Sequence, residues 1–516
     1  MMIVEWLAVI GFGFIQRLGQ VFLESALTLL VGVVTAGVFR RMLGAEGTRR
    51  LFGRGWKGLL RGWVAGMLLP VCSLGVIPVA RELRRAGVPG GTVLAFVLAA
   101  PLLNPISFLY GLTLAEPVVI GCFAVASLGI STVAGWFWDR VLDRSQSSAY
   151  RTDEPVPAAG IRRLLAVGVT AARETWGRPT IFYVMGWTGS ALLAAVIPNG
   201  ALQTSMAHND PTSPFLMSAI AVPIYSSPLP GMQKIGLMFS HGNSIGAAFV
   251  LFALGIGLNL GLVFWMLMSY GWRWVPWSLA VFALVLGLAC LSEPLLFPEG
   301  ARIEDHTHAF DDYASPFSPG PPSGLLERAM KKVAEQFGPL EQTATAGLAI
   351  LSLISVIVRR VDRHGELERW LTAAPSQARS TWLNARVPGP VLGVCALLGL
   401  IIFSIAGAYV YYPPTEQALT EMSQYRTEVI IGIRLGKSRE AIRDLELLDD
   451  ITRRMEVGAV IRRFRYDQEG SKVCQQLREA IEELRDALLA QHIETAREGL
   501  HEFDSRYAAC RDYYRR

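Results

Sequence analysis

Two otherwise apolar stretches, near 63–79 and 214–232, are interrupted by proline, glycine and serine. They read Pro70-Val71-Cys72-Ser73-Leu74-Gly75-Val76-Ile77-Pro78 and Pro223-Ile224-Tyr225-Ser226-Ser227-Pro228-Leu229-Pro230-Gly231. Proline removes a backbone donor and glycine loosens a helix. At membrane depth such a break is tolerated only where it is buried in protein or lines a cavity. The surroundings are of membrane type, with apolar runs of spanning length near 20–39, 89–111, 117–138, 179–198, 243–269, 275–292, 343–358 and 388–412. The expectation is an all-α, polytopic membrane protein with broken or re-entrant helices.

Charge divides the chain. Of the 103 residues from Pro414 onward 38 are charged, against 53 of the 413 before them. Soluble domains carry about 25% charged residues, so a membrane body precedes a soluble tail. The net charge of +5 is +7 in the body and −2 in the tail, which assigns the basic excess to loops at the lipid surface and gives nucleic-acid binding no support. The N-terminal Met1-Met2-Ile3-Val4-Glu5-Trp6 lacks a basic region and a cleavage site, so no removable signal is expected, and residues 2–16 read as an interfacial or short embedded helix.

Basic loops set the orientation. Arg40, Arg41, Arg49, Arg50, Arg54, Lys57 and Arg61 precede the first break and Arg81, Arg84 and Arg85 follow it, so both its ends are read as cytoplasmic. The stretch 199–213 has no Lys or Arg, and the second break is followed by Lys234, so that break enters from outside. Arg359 to Arg386 keep 359–387 inside, the helix at 388–412 exits, and the tail is extracytoplasmic.

A shift of 153 residues aligns Pro70 with Pro223, Ser73 with Ser226, Arg81 with Lys234, and Ala95-Phe96-Val97-Leu98 with Ala248-Phe249-Val250-Leu251. Three spans per half would invert the second half relative to the first. Inverted repeats whose interrupted helices meet near the midplane are the plan of secondary transporters. The segments are then 1–140 and 179–295 for the repeats, 141–178 for a cytoplasmic basic linker, 296–342 for an extracytoplasmic loop and surface helix, 343–413 for two more transmembrane helices, and 414–516 for a soluble α-helical domain.

The breaks would offer a solute the hydroxyls of Ser73, Ser226 and Ser227, the Tyr225 phenol, the Asn104 and Asn259 amides, and one thiol, Cys72. Such a neutral set suits a small polar or weakly charged solute, since a bare cation would want carboxylates. Glu24, inside the first apolar run, is a candidate proton-coupling group; the other reading places it at the outer interface. No cofactor or resident metal is expected. Gly436-Lys437-Ser438 lacks the first glycine of a phosphate loop, because position 431 is isoleucine. Glu304, Asp305, His306, His308, Asp311 and Asp312 read as a mobile acidic loop, with divalent-metal binding as the second reading, and 324–337 as an amphipathic helix on the membrane.

The residues Leu69 to Ala80, then Leu83, Gly87, Ala95 to Pro101 and Asn104-Pro105, resemble the signature of a bacterial predicted-permease family that includes the efflux permease for trivalent organoarsenicals. The family pattern is Pro-x-Cys-Ser-Cys-Gly-x-x-Pro. This chain keeps Cys72, Ser73, Gly75 and Pro78 and has Leu74 where the second cysteine stands. The resemblance covers roughly residues 20–295 and implies a multi-pass permease of the bacterial inner membrane that exports an organometalloid or another small polar solute; a second copy of the chain, as a homo-oligomer, is a separate candidate partner.

In the tail, i, i+3, i+4 apolar spacing marks helices at 415–435, 438–456, 470–490 and 493–514, with a break at 467–470. A hairpin turning near His492 brings Cys474 opposite Cys510, and an oxidising compartment would join them in a disulfide. The tail reads as an interaction or gating module for a protein partner, or as a cap. The alternative to transport is a membrane-anchored sensor or assembly scaffold that displays this domain.

Overall fold

The computed structural model describes residues 2–104, 107–108, 111, 117–142, 161–240, 242–296, 309–317, 324–362, 366–372, 391, 394–395, 397–399, 402, 409, 412, 414–463 and 467–515. The described residues are helical and contain no strand. They divide into two compact units, Met1–Ile401 and Ile402–Arg516.

In the first unit, α1 (Met2–Val38) runs through a π-turn (Phe39–Leu43) into α2 (Gly44–Phe52). The expected interfacial helix at 2–16 and the first span are therefore one rod, because no proline or glycine cluster separates them. Next come α3 (Gly55–Leu68), a break at 69–75, α4 (Val76–Arg85), α5 (Gly90–Leu102) and α6 (Pro117–Phe137). The run at 89–111 does not form a single span. Its helix stops after 13 residues at Leu102, where Pro101 and the Asn104-Pro105 pair withhold backbone donors.

The second half opens with α7 (Ile161–Thr175), bent by 45° from α8 (Thr180–Val196). The basic linker thus ends in a helix, and Ala166, Thr170, Ala171 and Ala172 bury its apolar face. Then follow α9 (Ser213–Ala221), a break at 222–227, α10 (Pro228–Ser240), α11 (Ile245–Val250), a π-turn (Leu251–Ile256), α12 (Leu260–Tyr270) and α13 (Trp274–Leu296). The expected helix at 243–269 is two pieces, parted by Gly257, Leu258 and Asn259.

The element bounds follow the 153-residue offset: α3 ends at Leu68 and α9 at Ala221. In each half the helix before the break packs on the one two helices later, α3 on α5 and α9 on α11, and these pack on α6 and α13. Among the described residues four helices are long and apolar enough to cross a membrane, or five if the bent α7–α8 pair is one span. One of them is α15 (Pro339–Val361), which is preceded by α14 (Leu325–Glu335) and followed by α16 (Glu366–Thr372). The apolar face of α14 packs on α1, where Leu325 and Ala329 join Val9 and Phe317. Most of the run at 388–412 lies outside the described residues.

The second unit contains α17 (Thr415–Arg434), α18 (Ser438–Arg463), α19 (Gln468–Leu489) and α20 (Ile493–Arg515). Leu445, Leu448, Met455, Leu477, Leu484 and Phe503 fill its core. The expected break at 467–470 is a helix start, since Asp467 accepts the Gly470 N–H at 3.2 Å as an N-cap. Gly436 takes φ +71° and ends α17, and the Lys437 N–H reaches back to the Gly432 carbonyl at 2.8 Å. Gly436-Lys437-Ser438 is therefore a helix-end turn.

Candidate functional site

The first break is held by its own cysteine. Sγ of Cys72 accepts the Gly75 N–H at 3.2 Å, and Pro78 sits buried in the first turn of α4, where a missing N–H costs nothing. Gly75 lies against α1. A Cβ there would stand 2.4 Å from the Thr28 carbonyl oxygen, and one on Gly32 would stand 2.1 Å from the Gly75 carbonyl oxygen. Gly75 is thus a contact of two backbones, a demand that no side chain meets.

The two halves join at this break. The Asn259 amide donates to Ser73 Oγ at 2.9 Å, while its oxygen accepts the Leu262 N–H at 2.9 Å and caps α12. Both residues are fully buried. Tyr225, in the second break, approaches Cys72 and Thr28 without closing a hydrogen bond on either. Its hydroxyl and that of Ser226 are buried and close no hydrogen bond, the latter near Tyr313. Ser227 is buried, and its carbonyl accepts the Gly231 N–H at 2.9 Å. Asn104 is buried at the end of α5, and its backbone carbonyl accepts the Phe108 N–H. Cys72, Ser73, Tyr225 and Asn259 therefore form one cluster, Ser226 adjoins a second cluster, and Asn104 stands at the end of α5.

The second cluster surrounds Glu24. Arg17, Gln20 and Glu24 share one face of α1: the Arg17 guanidinium donates to the Gln20 amide oxygen at 2.7 Å, and the Gln20 amide donates to Glu24 at 3.2 Å. Arg17 also donates to Asp312 Oδ1 at 3.2 Å and to the carbonyls of Asp311 and Ala314 at 2.7 and 2.8 Å. Lys234 Nζ lies 3.1 Å from Asp312 Oδ2 and 5.3 Å from the centre of the Tyr313 ring. The two cations hold the Asp312 carboxyl far below the usual carboxylate range. Protein surrounds Asp312, yet its side chain is half-exposed because it opens into a cavity of about 290 Å³. Glu24, Gln20, Gln233, Gln336 and Glu341 also line that cavity.

The expected acidic loop thus has a docked part. Residues 309–317 fold as a short 3-10 turn with Phe310, Tyr313, Ala314 and Phe317 buried. Glu304 to His308 lie outside the described residues, and among the described residues no group of His, Cys, Asp and Glu gathers to hold a metal. Arg17, Gln20, Lys234 and Asp312 were not among the residues singled out for the site. The first two carry a signal in retrospect, since a spacing of three then four residues from Arg17 to Glu24 marks one polar face on an apolar helix.

At the other end of the same unit, residues from the stretches read as cytoplasmic meet one another. Arg81 pairs with Glu174 at 2.5 Å, Arg85 reaches Glu174 at 3.6 Å, and Arg173 pairs with Glu368 at 2.7 Å. Arg41, fully buried, binds Thr170 at 2.8 Å and pairs with Glu368.

In the tail, Sγ of Cys474 stands 3.8 Å from Sγ of Cys510. Nearby, Glu456 is buried with neither oxygen hydrogen-bonded and Arg478 3.9 Å away, and burial pushes its carboxyl up to about 7.

A family model described as a predicted permease matches residues 13–291, which contain both breaks, the first cluster, and Arg17, Gln20, Glu24 and Lys234 of the second. The UPF0718 protein YcgR of Bacillus subtilis (strain 168) is 34% identical over 88 residues, 17% of this chain. The match spans 30% of that relative's length. No solved structure matches the chain.

Proposed function

The chain belongs to the predicted-permease family, a class of membrane transporter rather than of enzyme, and on that premise we propose that it is a secondary transporter working by alternating access. The two broken segments form its solute site. One observation carries the reading: Cys72 and Tyr225, residues that the 153-residue offset makes equivalent, are neighbours. A residue lies beside its own counterpart only near a two-fold axis, so this closeness supports an inverted repeat with its axis through the breaks. Family membership favours transport over the sensor or scaffold reading.

The site takes a small polar solute or an organometalloid. Ser73, Ser226, Ser227, Tyr225 and Asn259 offer hydrogen bonds in place of water, Cys72 offers one soft ligand, Gly75 and Pro78 hold the break open, and Asn104 closes the far end. Leu74 removes the second thiol that a tight metalloid trap requires, so the solute is held weakly enough to leave. Glu24 couples protons, the direction is export across the bacterial inner membrane, and the tail is extracytoplasmic, with Cys474 and Cys510 oxidised. The lipid bilayer is the lasting partner, and the tail meets a further protein.

The test is flux into proteoliposomes of the purified full-length chain, with a small polar solute and with a trivalent organoarsenical, under an imposed pH gradient. Ser73→Ala and Cys72→Ala should cut flux at least tenfold, well beyond their lowering of the detergent melting temperature, and Glu24→Gln should abolish the response to the gradient. Equal flux through parent and variants, or none through the parent with either solute, would sink the proposal.

A further inference from the structure

The 153-residue offset makes Arg81 and Lys234 equivalent. Each is a buried cation on the helix that follows a break, with side chains 13% and 7% exposed. Arg81 pairs across the halves with Glu174, the residue that the offset sets against Val21, one helical turn from Glu24 on α1. The reciprocal pair would be Lys234 with Glu24. These two are close enough to act on each other electrostatically, yet the ammonium group sits 3.1 Å from Asp312.

Asp312 comes from neither break nor either repeat. It is carried by the docked strap 309–317, which Arg17 grips by two carbonyls and which α8 holds from behind. There the Ser315 N–H donates to the Ile197 carbonyl at 2.7 Å and the Asn199 amide to the Ser315 carbonyl at 2.8 Å. A third element has thus taken the place of a symmetric partner at one end of the unit.

We infer that this strap is a tethered latch: Asp312 draws Lys234 of the second half and Arg17 of the first together over the Glu24 cavity, and that end opens when Asp312 yields Lys234 to Glu24, while Arg81–Glu174 fastens the opposite end. The inference rests on the alternating access proposed above. Arg17 and Lys234 face Glu24 and Asp312, with Glu341 a third carboxylate on the cavity wall, so the lysine passes from Asp312 to Glu24 without being left buried and unpaired, which is the costly event. Asp312 is the member able to leave, because it already opens into the cavity.

The test uses a Ser226→Cys reporter in the full-length chain with every native cysteine but Cys72 replaced, read against the same chain without the reporter. It is labelled by a membrane-impermeant maleimide in intact cells and in inverted vesicles. Asp312→Asn should raise labelling from the strap side about tenfold, the size of a lost charge-assisted hydrogen bond, and lower it from the other. Glu174→Gln should do the reverse, and Asp312→Glu should label as the parent does. High salt should raise strap-side labelling of the parent to a smaller extent, since the Asp312 end of the pair opens into the cavity while Lys234 is buried. If Asp312→Asn is lost from the membrane, the salt series and Asp312→Glu decide. A reporter reached from each side in turn but indifferent to Asp312→Asn and salt overturns the latch and leaves alternating access standing. A reporter reached from neither side, or from both at once, overturns both.

Discussion

The tail and the break region satisfy their backbones in different ways. The tail's four helices run uninterrupted around an apolar core and strand one carboxylate, Glu456, among them. The break region interrupts its helices, pairs Asn259 with Ser73 and the Gly75 N–H with Cys72, and leaves the Tyr225 and Ser226 hydroxyls without a hydrogen bond. Continuous helices tolerate an imperfect core because their backbone is already satisfied. Broken ones depend on each contact.

The sharpest way to break this contrast is Gly75→Ala. Its methyl group would meet the Thr28 carbonyl, and the backbones must part, so a loss of roughly 4 kcal/mol or more is expected. It should show as loss of folded protein from the membrane and of monodispersity in detergent. In the tail, Leu484→Ala removes a fully buried side chain and should cost about 3 kcal/mol, measured by urea unfolding of the 402–516 unit. There the core should loosen without the helices being lost.

Glu456 sharpens the contrast from the side of charge. Its carboxyl titrates near 7 folded against an ordinary 4.5, so between these values the folded tail keeps a proton that the unfolded chain has released. The stabilisation is complete below pH 4.5 and is lost as the pH rises through 7, on the order of 2–3 kcal/mol. Urea midpoints of the tail unit should fall from pH 5 to pH 8, and Glu456→Gln should flatten the profile. Asn259→Ala should cost about 1–2 kcal/mol by stranding Ser73 and uncapping α12, with a larger effect on flux than on melting temperature. The smallest effect is that of Gly436→Ala, about 1 kcal/mol for a side chain at φ +71°. It would contradict the comparison if it matched Gly75→Ala.

What could be read in the sequence follows the same division. The tail helices lie within a few residues of their apolar periodicity, except that α18 runs on to Arg463, since nothing in Val457 to Ile461 stops a helix. Proline and serine located both breaks. Hydropathy concealed the third, at Gly257 to Asn259, because an asparagine cap in an apolar run scarcely changes the average. The Cys72–Tyr225 and Ser73–Asn259 encounters depend on long-range packing, which no local pattern records. Asp312 was out of reach for a related reason: it counted as part of a charged loop, and only the burial of Phe310 and Tyr313 beside it docks that loop.

The π-turn at Leu251–Ile256 bears on the chain's length. Before it, Ala248 to Leu251 match the first half at an offset of 153, whereas Asn259 stands 155 after Asn104. On the proposed repeat the second half is two residues longer over this stretch, which holds both the π-turn and the open residues Gly257 to Asn259. A π-turn takes in one surplus residue by widening, so part of the added length is stored within the helix. Deleting one residue between Leu251 and Ile256 should narrow the turn to an ordinary α-helix and leave both flanks in place. The same deletion in α5, which has no slack, would rotate everything after it by about 100°, one residue's share of a helical turn.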